Sequence, residues 1–252
     1  MGRHSVPTDG EAFRFFVTGT DTGVGKTEAA CALLSLLADA GLSPAAMKPY
    51  ESGCIDRRRP ADALALKAAA RCDDPLAHVC PYRYRAPLAP GMAAARRREA
   101  PSFARVLALV RSFGARPLII EGAGGLFVPI DARHDIIDLI EALHVPVLLM
   151  ARAGLGTLNH TGLSLEALAR RGVSVRAVLL TKVRDAGDPS EQDNAAWLRR
   201  RHGVPVLGPV PYMRSPALRL AAYRQALRPL LSFLAEGDTP APRSRLRMER
   251  HD

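Results

Sequence analysis

The chain of 252 residues reads as a single α/β domain with a mostly parallel central sheet and helices on both faces. Three observations predict this. Short apolar runs alternate with longer helix-like stretches, the pattern of a parallel sheet with helical crossovers. Residues 13–18, Phe13-Arg14-Phe15-Phe16-Val17-Thr18, run into the glycine-rich stretch GTDTGVGKT at 19–27, and a helix-like stretch from Glu28 to Ala40 follows. A hydrophobic content of 48% with only 5% aromatics suits one core of Ala, Leu and Val, in which helices pack closely on a sheet.

Taken in order, the apolar run at 13–18 is the first strand and 26–40 the first helix. The second strand, 44–48, ends at Lys48, where Pro49 prevents the chain from turning straight into a helix. Helices are expected at 61–71 and 102–113, then a buried-type strand at 117–121. Helix 135–143, strand 145–150, helix 157–171 and strand 174–180 continue the alternation, and helix 190–202, strand 205–208 and helix 216–234 complete it. Right-handed crossovers make an open, doubly wound sheet of these elements, with ligands beyond the carboxyl ends of the strands.

Four loops at those ends carry chemistry. In GTDTGVGKT the amides of a glycine-rich turn and the positive end of a helix dipole converge where a polyphosphate can sit. Lys26 can reach the β/γ-phosphates, and Thr27 can place its hydroxyl on a magnesium ion, so the fold is of the P-loop NTPase type. Five residues rather than the usual four separate Gly19 from the Gly25-Lys26 pair, which puts Thr20 in the usual glycine position. Gly23 and Gly25 still allow close backbone approach.

The second loop, Met47 to Gly53, places Lys48 at a strand tip, where it would be aimed at the nucleotide or stand in water. In the third, Leu118-Ile119-Ile120-Glu121-Gly122-Ala123-Gly124-Gly125, a carboxylate follows three apolar strand residues; buried there, it needs a cation partner, and magnesium beside Thr27 is the obvious one. Asp62, at the start of a helix, reads by itself as a cap or first-turn acid. The fourth loop, Gly154 to His160, opens another helix and can hold an anion by the same dipole logic, or can simply cap that helix through Thr157 or Asn159. His160 reads as packing or capping.

The net charge of +10 is concentrated in arginine triplets at 57–59, 96–98 and 199–201 and in an Arg-rich C-terminus. No stacking aromatics or groove-reading motif accompany them, so the reading is solvated surface with attraction for anionic metabolites, not nucleic acid. Cys31, Cys54, Cys72 and Cys80 show neither metal spacing nor a disulfide framework and read as reduced thiols, mostly buried. With no signal core or apolar membrane span, the expected location is the cytoplasm. The composition of 1–12 and 237–252 is that of disordered tails, which leaves 13–236 as the P-loop domain.

GTDTGVGKT, KPYESG, Asp-Ala-Leu-Ala-Leu at 62–66, EGAGGLFVPI and GLGTLNH, in this order, resemble the dethiobiotin synthetases, ATP-dependent cyclising ligases of biotin synthesis. The resemblance runs from about residue 13 to residue 234. It implies that carbon dioxide or bicarbonate, ATP and 7,8-diaminononanoate are substrates. The diamine becomes a carbamate, ATP phosphorylates it to a mixed anhydride, and the second amine closes a cyclic urea. Lys26 and Thr27 would be the phosphate lysine and magnesium ligand, with Asp62 and Glu121 completing the Mg2+ shell.

By the same resemblance Lys48 stands beside the reacting amines and carbamate, Ser52 is a hydrogen-bond partner there, and Thr22 lies where the phosphate loop meets the carbamate. Gly23, Val24, Gly25, Gly124, Thr181 and Pro211 would complete the nucleotide contacts. Leu155, Gly156, Thr157, Leu158 and Asn159 match the loop that receives the substrate carboxylate from a neighbouring subunit, implying a homodimer. The chain departs from the family at Thr181, where Asn is common, at Tyr50 and Glu51, and at Gly91, where His is frequent. Partitioning and septum-site switch ATPases share the phosphate loop but carry a signature lysine early in it, where this chain has Asp21. A cobyrinate-type amidating ligase would need a glutaminase domain, for which there is no room.

Overall fold

Apolar runs become the strands β1 (Arg14–Gly19), β2 (Ala45–Met47), β5 (Leu118–Glu121), β6 (Val147–Arg152), β7 (Val175–Thr181) and β8 (Val206–Val210). A second, two-residue ladder joins β3 (Tyr50–Glu51) to β4 (Tyr82–Arg83). The computed structural model describes residues 13–185 and 187–234; the tails expected at 1–12 and 237–252 lie outside the described residues. The main sheet has the order β2-β5-β1-β6-β7-β8, and its pairings are all parallel. β1 is therefore central, and its carboxyl end opens at the point where the order reverses.

Alternation within the strands sorts the core into two layers. Phe15, Val17, Ile119, Leu148 and Met150 pack on one face against α1 (Lys26–Asp39), α2 (Ala61–Ala70) and α9 (Pro216–Leu227). Phe16, Leu118, Ile120, Val147 and Leu149 pack on the other against α5 (Phe103–Ser112), α6 (Ile136–Leu143), α7 (Thr157–Arg170) and α8 (Glu191–His202). Residues that alternate in sequence thus face opposite layers, and both are covered, which explains continuous apolar runs. The close fit is made by small residues: Ala29, Ala30 and Ala32 of α1 are fully buried.

The structure differs from the expected elements in particular places. Strands β6, β7 and β8 extend further toward their carboxyl ends than the apolar runs, because Arg152, Thr181 and the Gly208-Pro209 pair continue the ladder with polar or turn-type residues. The helix expected over 216–234 stops at Leu227 and continues as a 3-10 segment, Arg228–Leu234, since Pro229 has no amide to donate to the α ladder. The short elements β3, β4, α3 (Leu76–Val79) and α4 (Pro90–Arg96) were not expected; they are too brief for a periodicity to show. Cys54 and Cys80 are buried, whereas Cys31 and Cys72 are only half-buried, and all four are free thiols.

Candidate active site

The phosphate loop is held from below by its own sequence. Gly25 caps α1 with φ 89°, a left-handed conformation that suits glycine, and the Tyr223 hydroxyl from α9 stands where a β-carbon on Gly25 would be. A β-carbon on Gly19 would lie 2.7 Å from the Val24 side chain and 3.0 Å from the Asp21 carbonyl, so the turn is closed tightly over β1. Val24 is buried, and its carbonyl accepts a 2.9 Å hydrogen bond from the Thr181 hydroxyl. Asp21 accepts from the Thr22 amide at 2.7 Å and from Arg152 at 2.8 Å. Lys26 is buried and donates to the Asp21 carbonyl at 2.7 Å. Burial first, and then the neighbouring charge of Lys48, lower its pKa to about 8.

Opposite this loop stand β2 and β5, which end side by side. Lys48 follows β2 and is 5% exposed; its ammonium reaches Asp62 of α2 at 2.9 Å and donates to the carboxylate of Glu121, the last residue of β5. Burial alone would pull Lys48 down, but Glu121 and Asp62 outweigh it and hold the lysine above its ordinary range. The Thr27 hydroxyl donates to the same Glu121 Oε1 at 2.8 Å. Glu121 is 1% exposed, and its other oxygen, Oε2, is buried without a hydrogen-bond partner among the described residues. An orphaned carboxylate oxygen beside a Thr hydroxyl and a second carboxylate is a donor set of hard oxygens, which suits a divalent cation such as magnesium.

These groups share a cavity of about 410 Å³. Of the residues singled out in the sequence, it is lined by Thr22, Gly23, Gly25, Lys26, Thr27, Lys48, Ser52, Asp62, Glu121 and Gly124. Val24 and Thr181 lie behind the loop as braces. Pro211 is exposed beyond β8. The loop after β6 is separate from the cavity lining. Gly156 caps α7 with φ 90°, the Leu155 amide donates to Asp188 at 2.8 Å, and Thr157 is buried with its hydroxyl 3.1 Å from that of Thr161. Leu155, Leu158 and Asn159 point to the surface.

Sequence reasoning missed Glu51. Its side chain is buried, and its carboxylate accepts from the amides of Asp62 at 3.1 Å and Ala63 at 2.9 Å, so it caps α2 from the preceding strand, β3. Pro60, the residue at the cap position of α2, has no side-chain acceptor, so an acid elsewhere has to supply one. Burial raises the pKa of Glu51, against the opposing pull of those amides. The only sign in the sequence was an acid between the Lys-Pro and Ser-Gly pairs. The wall formed by Pro87 to Pro90 and Val128 was also missed, since nothing local marks it as part of a cavity.

A family model described as an AAA domain matches residues 14–216. An ATP-dependent dethiobiotin synthetase of Anaeromyxobacter sp. (strain K) is 48% identical over 76% of this chain and 86% of its own length. The chain belongs to the ATP-dependent dethiobiotin synthetase family. The enzyme of that name from Anaeromyxobacter dehalogenans (strain 2CP-C) is 44% identical over 86% of this chain and 98% of its own. That of Ralstonia nicotianae is 40% identical over 87% and 98%. The segments at 19–27, 48–53, 62–66 and 121–130, which carry the resemblance, supply most of the lining of the cavity just described, with Pro87 to Pro90 supplying most of the rest.

Proposed function

We propose that this chain is an ATP- and magnesium-dependent ligase that converts 7,8-diaminononanoate and carbon dioxide to dethiobiotin, with ADP and phosphate as the other products. One observation carries the reading: a second buried lysine, Lys48, enters the same 410 Å³ cavity as the phosphate loop, where it would face the reacting end of a triphosphate held by that loop. Nucleotide binding alone needs Lys26. A second desolvated cation is what a reaction between two anions needs.

One amine of the diamine attacks carbon dioxide and loses a proton, giving a carbamate. A carbamate oxygen attacks the γ-phosphorus in line, and ADP leaves. The second amine attacks the carbamoyl carbon and expels phosphate, closing the urea ring. Lys26 and the amides of Gly23 to Thr27 hold the phosphate chain, while Lys48 neutralises the carbamate and the transferring phosphoryl group. Thr22 and Ser52, which both line the cavity, can orient the carbamate and the amines. Thr27, Asp62 and Glu121 would hold the metal, which when bound supplies charge neutralisation for the phosphate oxygens.

The loop from Leu155 to Asn159 does not line its own chain's cavity, and it fits the reading as a site for the substrate carboxylate only in a homodimer, where a second copy would supply it. The decisive experiment incubates the protein with ATP, magnesium and bicarbonate, with and without the diamine. ADP release that depends on the diamine, with formation of a cyclic urea, is expected. ADP release indifferent to the diamine would overturn the assignment.

A further inference from the structure

The arginine triplet at 57–59, which the sequence leaves as solvated surface, does not stand alone. Ile55, Asp56, Arg57, Arg58, Arg83 and Arg85 line one open concavity of about 480 Å³, separate from the catalytic cavity. Four guanidiniums face one carboxylate there. Asp56 is turned inward on its own turn, accepting from the Arg58 amide at 2.8 Å, and Arg57 meets Glu99 only at 3.7 Å. Arg58, Arg83 and Arg85 have no ion pair among the described residues.

The backbone holds these side chains together. Backbone bonds tie the two segments together beyond the paired residues of β3 and β4: the Tyr84 amide donates to Glu51 at 2.8 Å, Cys54 donates to Tyr84 at 2.9 Å, and Gly53 donates to Ala86 at 3.2 Å. Arg83 and Arg85 flank Tyr84, which is fully buried, so alternation turns both arginines to the outer side. The turn at 56–59, closed by the Arg59 amide on the Asp56 carbonyl at 2.9 Å, brings Arg57 and Arg58 to the same place. The inner side of this ribbon is the wall of the catalytic cavity, through Tyr50, Glu51, Ser52 and Pro87.

We propose that this concavity is a second anion site, selective for a chain of two or more phosphates, free or on a nucleotide. A single exposed arginine binds an anion weakly; a cluster of planar forks on a pinned ribbon can engage several phosphate oxygens at once, and a phosphate chain presents them at that density. The size is that of a small-molecule site. A protein partner would want a buried apolar or aromatic anchor, and the one apolar residue here, Ile55, is 92% exposed. Single-stranded nucleic acid would want stacking faces, and Tyr50 and Tyr84 are both buried beneath the ribbon.

The test is calorimetric titration of the full chain with tripolyphosphate. Two sites per chain are expected, one on the phosphate loop and one in the concavity. Lys26→Ala should weaken the first and spare the second. Arg83→Gln with Arg85→Gln should spare the first and weaken the second by roughly a hundredfold, about tenfold per guanidinium lost. Diamine-dependent ADP release by that variant should match the parent. Arg83→Lys with Arg85→Lys, which keeps the charge but not the fork, should fall between, and it serves as the test if the glutamine variant does not fold. ADP titrated into the Lys26→Ala protein separates the sources: tighter binding than pyrophosphate means that the nucleoside is read as well, and equal binding means the phosphate chain alone. A single site in the parent, an unchanged titration in both double variants, or equal displacement by duplex DNA at physiological salt would overturn the proposal.

Discussion

Lys48 carries its charge between two carboxylates, Asp62 and Glu121, and with Thr27 these are the oxygens best suited to a divalent cation. The ammonium compensates the buried Glu121 carboxylate and the half-buried Asp62, because a buried anion without a cation is costly. On the proposed function, a metal held by Thr27, Asp62 and Glu121 would take over that compensation and free Lys48 toward the substrate. Lys48→Met is expected to bind Mn2+ several-fold more tightly than the parent without nucleotide, measured by electron paramagnetic resonance; equal or weaker binding would place the metal elsewhere. Lys48→Ala is expected to lose roughly a hundredfold or more in turnover while retaining much of the ATP affinity. Equal loss of both would put Lys48 on the nucleotide instead. Glu51 acts at the same scale through a helix end. Glu51→Ala leaves the Asp62 and Ala63 amides without their acceptor and should cost about 1–3 kcal/mol in urea unfolding, whereas Glu51→Gln keeps an acceptor oxygen and should cost less than half of that. An alanine variant as stable as the parent would show that water replaces the cap.

Elements are positioned by contacts between neighbours distant in sequence. Arg116, just before β5, clamps Asp74 with two bonds of 2.8 and 3.0 Å and also donates to the carbonyls of Ser43 and Pro44 at 3.2 and 3.3 Å. It thereby locks the start of β2, the start of β5 and the segment after α2, the elements that deliver Lys48, Glu121 and Asp62. The Arg116 guanidinium holds the Asp74 carboxyl below its ordinary 3.8, despite partial burial. Since the folded pKa is the lower one, the folded state binds fewer protons, and the contribution is present above pH 3.8 and lost as pH falls through the folded value. Arg116→Ala should cost about 1 kcal/mol at pH 7, a modest figure because both partners touch water, and the difference from the parent should shrink as pH falls below 3.8. A gap that is constant with pH, followed by chemical unfolding, would assign the loss to packing. The long elements were legible because 14-residue helices and buried strands impose a period or an apolar run. β3, β4, α3 and α4 were not, because two to seven residues impose neither.

At the scale of the molecule, α7 and the loop before it expose Leu155, Leu158 and Leu163, 81%, 43% and 59% accessible in the single chain. Several exposed leucines beside a loop that is remote from its own cavity are what a self-complementary interface would bury. Leu163→Asp, outside the proposed substrate loop, should shift the species seen by light scattering from dimer to monomer and lower turnover about tenfold or more, with nucleotide binding retained. A dimer of full activity would show that α7 is not the interface. Among the described residues, no helix is long and apolar enough to cross a membrane.

Determined by the sequence itself were the α/β class, the phosphate loop, and Lys48, Asp62 and Glu121 as polar residues at the ends of apolar elements. Each of these is local: a strand, a tight turn and a helix start announce themselves within a few residues of chain. What only the tertiary structure decided is which of them meet. Lys48 and Glu121 lie 73 residues apart and share one bond; the Thr181 hydroxyl reaches the carbonyl of Val24, 157 residues away. Glu51 becomes a cap for α2, and four arginines become one concavity. Hydrogen bonds and ion pairs depend on distances of a few ångströms, and only the packing of the sheet and the ribbon beside it brings such distant positions within that range.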